Sequence, residues 1–266
     1  MHTAPSADDT PYVLRSDQAG IVRLTLNRPQ QFNALSQAMI AALQAHLDRI
    51  AADPDARLVV IAGAGKAFCA GHDLKEMRAH HDQAFLQDLF RRCGKMMMTL
   101  TQMPQPVMAR VHGIATAAGC QLVSMCDLAV AADSARFATS GINVGLFCAT
   151  PGVGLSRNLG RKQAFEMLLT GDFIDAETAR QQGLVNRVVT ADAIDAEIDR
   201  LAGAIVGKSS VAIAMGKQMF YRQLEMGLAA AYQYAAEVMA CNMMSEDAGE
   251  GIDAFIGKRQ PVWKGR

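Results

Sequence analysis

The chain has 266 residues, half of them apolar, and its 26 Lys and Arg residues balance 26 Asp and Glu residues. This length and composition suit one large domain, or a core with an appendage. Balanced charge without a clustered basic arm argues against nucleic acid and an anionic membrane surface as partners. We therefore expect a small-molecule partner.

The cysteines and the N-terminus bear on the cellular setting. The six cysteines form no CxxC pair and have no histidines at zinc-site spacing: Cys69, Cys93, Cys120, Cys126, Cys148 and Cys241. They predict buried reduced thiols and no metal site. The opening MHTAPSADDTPY lacks the order of a signal peptide or organellar presequence, and the apolar region 107–132 is interrupted by polar residues. We expect a reducing, cytoplasmic setting and no membrane partner.

The first half of the chain alternates strand and helix patterns. Residues 21–27 predict a strand that ends before Pro29. Ser36 then caps a helix whose apolar residues recur at helical spacing up to the break at Pro54, and residues 58–62 predict a buried strand.

The same order continues with a helix over 85–100, a strand over 107–111, a helix over 115–126 and a strand over 128–132. Strands that alternate with helices predict an α/β fold with mostly parallel pairing and right-handed crossovers.

The C-terminal part is predicted to be helical. The segment LVNRVV after Gly183 is a last short strand, and helical spacing dominates beyond Ala191. We divide the chain into an α/β core, 1–200, and a helical region, 201–266. The Met, Tyr and Phe content of that region suits packing within the chain and also oligomerisation.

Three familiar nucleotide or hydrolase motifs are excluded. Gly63 to Lys66 (GAGK) follows a strand, but Ala67 stands where a phosphate loop needs Ser or Thr. The run GVG at 152–154 lacks the third glycine and the preceding strand of a dinucleotide fingerprint, and no GxSxG nucleophile elbow occurs.

Two short loops remain as the candidate site. FCAGHD (68–73) follows a strand and opens a short helix, and AAG (117–119) lies at another helix start. Helix N-termini leave backbone N–H groups unpaired, so two converging loops could stabilise a developing oxyanion. Two ordinary small-residue turns explain the same residues, and the residues alone favour that interpretation.

Five blocks in order decide between these interpretations: LNRPQQFNAL, the two loops, FATSGINVGLFCATPGVG, LTGDFIDAETARQQGLVNRVV and FIGKRQPVW. They resemble the enoyl-CoA hydratase/isomerase family, or crotonase superfamily. GHDLKE, TAAGCQL and NVGLFCATPGV are most similar to its subgroup of enoyl-CoA hydratase domain-containing protein 3.

The resemblance implies a crotonase-like spiral of ββα units with a helical C-terminal trimerisation region, forming a homotrimer or a hexamer. It implies an acyl-CoA substrate, with coenzyme A as part of that substrate and no permanently bound cofactor. By position, Ala70 and Ala118 would supply the two oxyanion N–H groups. The coenzyme A contacts would be Arg28, Ala70, Gly71, His72, Asp73 and Lys258, with Arg28 and Lys258 on phosphates.

The same resemblance places Gln121 and Gly141 where the family's hydratases carry two catalytic glutamates. Neither residue can carry a proton, so binding is expected to survive while ordinary hydratase turnover is weak, because general acid–base catalysis commonly contributes about 10²- to 10⁴-fold. Gln121 could still orient a water, or it could bond a neighbouring backbone group. Gly141 is expected to leave room in the site.

Several polar residues near the two loops are explained by structural roles without any part in catalysis. His72 is expected to be a solvent-exposed residue at the channel mouth rather than a titrating group. Asp73 is expected to cap the following helix, Cys148 to be an apolar filler, and Glu76 to be a surface charge. Asp127 is expected to be structural, and Thr139, Ser140 and Asn143 have no clear partner.

Three functions stay open at this point. The first is an enolate-forming hydratase or isomerase with weak hydratase turnover. The second is a non-catalytic acyl-CoA-binding protein or subunit of a mixed oligomer. The third is other acyl-CoA chemistry, such as thioester hydrolysis or decarboxylation, on the same scaffold.

Overall fold

The computed structural model describes residues 10–266, which form two β-sheets and the helices around them. The strands are β1 (Val13–Gln18), β2 (Ile21–Leu26), β3 (Leu58–Gly63), β4 (Ala67–Cys69), β5 (Val107–Val111), β6 (Ile114–Thr116), β7 (Leu128–Ala132), β8 (Arg136–Ala138), β9 (Ile174–Asp175) and β10 (Arg187–Val189). The α/β class is confirmed.

The α-helices are α1 (Gln37–Ala51), α2 (Leu74–Ala79), α3 (Gln83–Gln102), α4 (Ala118–Met125), α5 (Ala149–Leu155), α6 (Arg161–Thr170), α7 (Ala176–Gln182), α8 (Ile194–Val206), α9 (Ser210–Gln223), α10 (Leu228–Met243) and α11 (Glu246–Ile256). Short 3₁₀ turns lie at Pro29–Gln31 and Ser140–Val144. The boundary that we predicted at residue 200 falls inside α8, and the division into two regions stays a prediction.

The chain passes back and forth between the two sheets. The six-stranded sheet has the order β1-β2-β3-β5-β7-β10, and the four-stranded sheet has the order β4-β6-β8-β9. Pairing is parallel except between β1 and β2 and between β8 and β9. Strands β3, β5 and β7 of the first sheet are each followed by a strand of the second sheet and then by helix. This repeat is the predicted spiral of ββα units.

The larger sheet is buried on both faces. In β3, Val59 and Ile61 belong to the main apolar core, whereas Leu58 and Val60 point to the opposite face. Helix α8 covers that second face with Ile194, Ile198 and Ala202, as expected for a largely parallel sheet.

Most boundaries of the longer elements follow the predictions. Ser36 caps α1 by accepting a hydrogen bond from the Met39 N–H at 3.2 Å, as predicted. The helix predicted over 115–126 is wrong at its start, because residues 114–116 form β6 and α4 begins at Ala118. The second sheet was missed altogether, since its strands have only two or three residues and carry no readable alternation.

A buried ion pair attaches the C-terminal helices to the core. The Lys217 ammonium of α9 donates to Asp127 at 2.7 Å and to the carbonyls of Leu100 and Gln105 at 2.6 and 2.8 Å. Tyr221 donates to the same carboxylate at 2.8 Å, and Asp127 also accepts from the backbone of β5. Burial lowers the pKa of Lys217 although Asp127 opposes it, and burial with Asp127 raises that of Tyr221. The structural role predicted for Asp127 is confirmed.

In the part of the chain that the structure describes, no helix is long and apolar enough to cross a membrane. Nor do any three His, Cys, Asp or Glu side chains among residues 10–266 cluster closely enough to hold a metal ion.

Candidate active site

One largely apolar cavity of about 240 Å³ brings the two candidate loops together. The loop before α2, the start of α4 and the segment from Ser140 to Pro151 form its wall. The lining residues are Ala70, His72, Leu74, Met77, Phe90, Ala117, Ala118, Ser140, Gly141, Val144, Leu146, Phe147, Cys148, Ala149, Thr150 and Pro151. No Asp or Glu is among them.

Four residues of the two candidate loops line this wall, and two of them have a backbone N–H group with no carbonyl partner in the described chain. Ala118 is the first residue of α4, so its N–H has no acceptor within the helix. The second free N–H belongs to His72. The prediction that Ala70 supplies this donor is wrong, because the Ala70 N–H donates to the Phe32 carbonyl at 3.0 Å.

Two glycines allow the loops to approach each other. Gly71 has φ +92°, and a Cβ added there would lie 3.2 Å from the Ala118 nitrogen and 2.8 Å from the Ala117 Cβ. A Cβ on Gly119 would lie 2.0 Å from the Cys69 carbonyl oxygen. The two donors therefore belong to backbones in direct contact, as the sequence analysis required.

The start of α4 holds an alanine in an unusual conformation. Ala117 has φ 50° and ψ −120°, a region that L-residues with a Cβ rarely occupy. Ala118 itself has no positive φ, so the strained residue is the one before it. Its conformation turns the chain from β6 into α4 at the cavity wall.

Gln121 lies one turn into α4 and is buried, with 4% of its surface exposed. Its Oε1 has no hydrogen-bond partner in the described chain, and the residue is absent from the cavity lining. It therefore does not bond a neighbouring backbone group in the way that we considered. An unpaired buried amide oxygen is costly and accepts a donor when one is brought to it.

The space beside Gly141 is already filled. A Cβ added there would meet the Leu146 carbonyl oxygen at 2.6 Å and the Cys148 Sγ at 2.7 Å. The expectation that Gly141 leaves room is wrong, because the segment after the Ser140–Val144 turn folds back against it. The Gly141 N–H acts as a donor to the Cys148 thiol, whose pKa is raised by burial.

Comparison of the chain with family models, known proteins and solved structures identifies its family. The family model for enoyl-CoA hydratase/isomerase matches residues 16–266. The chain belongs to the enoyl-CoA hydratase/isomerase family. The mitochondrial enoyl-CoA hydratase domain-containing protein 3 of Xenopus laevis is 46% identical over 263 residues, which cover 99% of this chain and 90% of that protein. The human protein of the same name is 43% identical over 244 residues, covering 92% of this chain and 80% of its own length.

Solved structures agree with this assignment. An enoyl-CoA hydratase from Mycobacterium smegmatis superposes with a TM-score of 0.94 at 58% identity, covering 96% of this chain and 99% of its own. Human enoyl-CoA hydratase domain-containing protein 3 superposes with a TM-score of 0.93 at 42% identity, covering 95% of this chain and 100% of its own. The crotonase fold and the subgroup predicted from GHDLKE, TAAGCQL and NVGLFCATPGV are confirmed.

In this member of the hydratase/isomerase family, His72 is not the exposed residue that we expected. Its ring contacts Phe90 edge to face, with the ring centroids 5.3 Å apart, and its Nε2 is buried without a partner. Burial lowers the pKa of His72 to about 4, so the imidazole is neutral at pH 7. A neutral, unpaired imidazole thus forms part of the cavity wall.

The acidic residues next to His72 are engaged elsewhere. Asp73 caps α2 as predicted, accepting from the N–H groups of Lys75 and Glu76 at 2.9 and 3.1 Å. Glu76 is not a free surface charge, because its carboxylate accepts from the Gln37 N–H at the start of α1 at 3.0 Å. Both carboxylates hold helix ends rather than face the cavity.

The two predicted phosphate contacts lie outside the cavity wall. The Arg28 guanidinium stacks on Tyr12, 3.6 Å from the ring centroid, and donates to the carbonyls of Thr10, Pro11 and Asn27. Those bonds hold the segment before β1. Lys258 follows α11 with φ 51° and is likewise absent from the lining. Within one chain, the structure does not bring either cation to the cavity.

Three other polar residues have local roles. The buried Thr139 hydroxyl donates to the Met167 carbonyl at 2.7 Å, and the Ser140 hydroxyl lies 2.8 Å from that of Thr116. Asn143 makes only a long contact to the Gly171 carbonyl at 3.5 Å. They provide no acid or base at the site.

Proposed function

We propose that this protein binds acyl-CoA thioesters and stabilises their enolates, as an enoyl-CoA hydratase/isomerase-like enzyme with weak ordinary hydratase activity. One observation carries the proposal: the unpaired N–H groups of His72 and Ala118 share the wall of a cavity that holds no carboxylate. Two preorganised donors in an apolar site can stabilise the negative charge that develops on a thioester oxygen.

Weak hydration follows from the two replaced glutamates. Gln121 is an amide, and Gly141 has no side chain and no free space for one. Hydration needs a group that activates water and a group that protonates the α-carbon. Loss of such groups commonly costs about 10²- to 10⁴-fold in rate.

Two measurements test the proposal. Calorimetry with butanoyl-CoA should detect binding, and Gly71→Val should weaken it, because a side chain there separates the two donors. Crotonyl-CoA hydration by the unmodified protein should be slow, because no carboxylate lines the cavity. No affinity for any acyl-CoA would overturn the binding site, and fast hydration by the unmodified protein would overturn the account of the missing acids.

The absence of a carboxylate from the cavity wall also favours a second candidate, a non-catalytic acyl-CoA-binding protein or subunit of a mixed oligomer. Thioester turnover by the pure protein would exclude it. Hydrolysis or decarboxylation remains the third alternative, and products from malonyl-, 3-hydroxyacyl- and enoyl-CoA substrates, followed by mass spectrometry, separate these functions.

Assembly and location are proposals of the same kind. The C-terminal helices expose large apolar side chains, including Leu228, Tyr232, Met244 and Phe255. We propose that they pack in a homotrimer or a dimer of trimers, which light scattering can measure.

The six free cysteines suit the reducing cytoplasmic setting that we proposed, although curated relatives carry the word mitochondrial in their names. The N-terminal segment on which that prediction also rests, residues 1–9, lies outside the described residues.

A further inference from the structure

Four large apolar side chains line the cavity and yet remain in contact with solvent. Leu74, Val144, Leu146 and Phe147, which we call the apolar mouth, are between 43% and 66% exposed. Single exposed apolar residues are common on protein surfaces, but a group of them around one concave site indicates a ligand or a partner. The apolar mouth is therefore a candidate binding surface.

Packing within the chain does not account for the apolar mouth. None of its four residues belongs to either apolar core or packs against one. Helix α2, which begins at Leu74, and the turn Ser140–Val144 contain no buried residue. Leu74 and Met77 are three residues apart in α2, so they share one face of the helix, and both line the cavity. Two separate segments thus place apolar side chains around one cavity.

The proposed thioester position lies deeper than the apolar mouth. Ala118, which carries one of the two free N–H groups, has no exposed surface. A thioester oxygen held by the N–H groups of His72 and Ala118 is therefore inside the cavity, whereas the apolar mouth meets solvent. A thioester carbonyl carries two arms, the alkyl chain and the coenzyme A arm. An arm too long for the cavity must extend along the apolar mouth.

The chemistry of the apolar mouth favours the alkyl chain over the coenzyme A arm. The arm next to the thioester carries amide groups, which need hydrogen-bond partners when they leave water. The side chains of Leu74, Val144, Leu146 and Phe147 offer neither donors nor acceptors. An alkyl chain needs only apolar contact, and it gains free energy when its methylenes leave water.

We propose that the apolar mouth binds the alkyl chain of the thioester, and that the protein therefore selects acyl-CoA molecules with chains longer than butanoyl. The proposal rests on the proposed function, because it needs a thioester at the N–H groups of His72 and Ala118. A short chain covers little of the apolar mouth and leaves its side chains in water. Each further methylene exchanges water for contact with them, so affinity rises with chain length.

Calorimetry of the full-length protein with butanoyl-, hexanoyl-, octanoyl- and decanoyl-CoA tests the proposal. Affinity should rise about two- to fourfold for each added methylene. The double variant Leu74→Ser, Val144→Ser should lose about tenfold in affinity for decanoyl-CoA and about twofold or less for butanoyl-CoA. The matched control is Leu169→Ser, Val262→Ser, which replaces the same residue types at 59% and 69% exposure outside the cavity. The control should bind all four thioesters like the unmodified protein.

The possible failures are distinguishable. Equal affinity for all four thioesters would overturn the chain-length selection and leave the proposed function standing. Equal losses for butanoyl- and decanoyl-CoA in the Leu74, Val144 variant would assign the apolar mouth to the coenzyme A arm. A changed mass in light scattering with unchanged thioester binding would show that a second copy covers it. Either result would overturn the proposal. Absence of binding to any acyl-CoA would overturn the proposed function as well. Both variants should unfold in urea like the unmodified protein, because the replaced side chains are exposed.

Discussion

Acidification should weaken the fold through His72. Burial lowers the pKa of this residue to about 4 in the folded chain, against 6.5 for an unperturbed histidine. At a pH between these two values, the imidazole is protonated in the unfolded chain and neutral in the folded chain. The free energy of unfolding therefore falls as the pH drops through this interval. Between pH 7 and pH 5, linkage assigns a loss of about 2 kcal/mol to this residue alone.

Urea unfolding at pH 7 and pH 5 measures this loss. The unmodified protein and His80→Gln, which replaces an exposed histidine, should lose similar amounts. His72→Gln should lose about 2 kcal/mol less between the two pH values, because glutamine does not titrate. Asp73 and Glu76, which are close to His72 in sequence, and Cys148, which lines the same cavity, are the same in all three proteins. Identical pH dependence in all three would refute the burial argument for His72.

Three further substitutions test other parts of the structure. Gly141→Glu should lower the free energy of unfolding by about 1–3 kcal/mol in urea and leave crotonyl-CoA hydration slow, since Cys148 fills that space; fast hydration would contradict this. Ala117→Gly should raise the unfolding free energy by about 1 kcal/mol by relieving strain, and a decrease would show that no strain is stored there. Lys217→Met should lower it by about 3–5 kcal/mol because Asp127 loses its buried counter-ion; a loss below about 1 kcal/mol would count against the ion pair.

The elements that were predictable from sequence are those with long apolar patterns. Strands β3 and β7 are apolar runs, β5 is apolar apart from Arg110, and α1 shows both its Ser36 cap and its apolar face. The second sheet was not predictable, because its strands are too short for periodicity and are held by pairing with distant strands. The strand β1 was missed for a related reason: VLRSDQ is an edge strand with only Val13 buried.

The candidate site likewise has some features that were predictable from the sequence and others that were not. The two loops are indicated by their glycines and small residues, and the resemblance to the family implied that their backbones meet. The sequence does not show which N–H group is free. The Ala70 N–H donates to the carbonyl of Phe32, which belongs to a turn far away in the chain. Gly71, a glycine at the loop's turn, was the one local signal that the following residue, His72, faces the cavity. The filling beside Gly141 depends on how the chain from Leu146 to Cys148 folds back, which no motif encodes.

The packing of Cys148 and the Leu146 carbonyl against Gly141 constrains how this chain could change over evolutionary time. A carboxylate at position 141 becomes tolerable only after the returning segment has moved and the thiol has been replaced by something smaller. The order of substitutions therefore matters: a mutation that supplies the acid first meets a steric penalty before it can confer any catalytic gain. A lineage with this loop is accordingly less free to acquire an acid at position 141 than one in which the segment from Leu146 to Cys148 lies elsewhere.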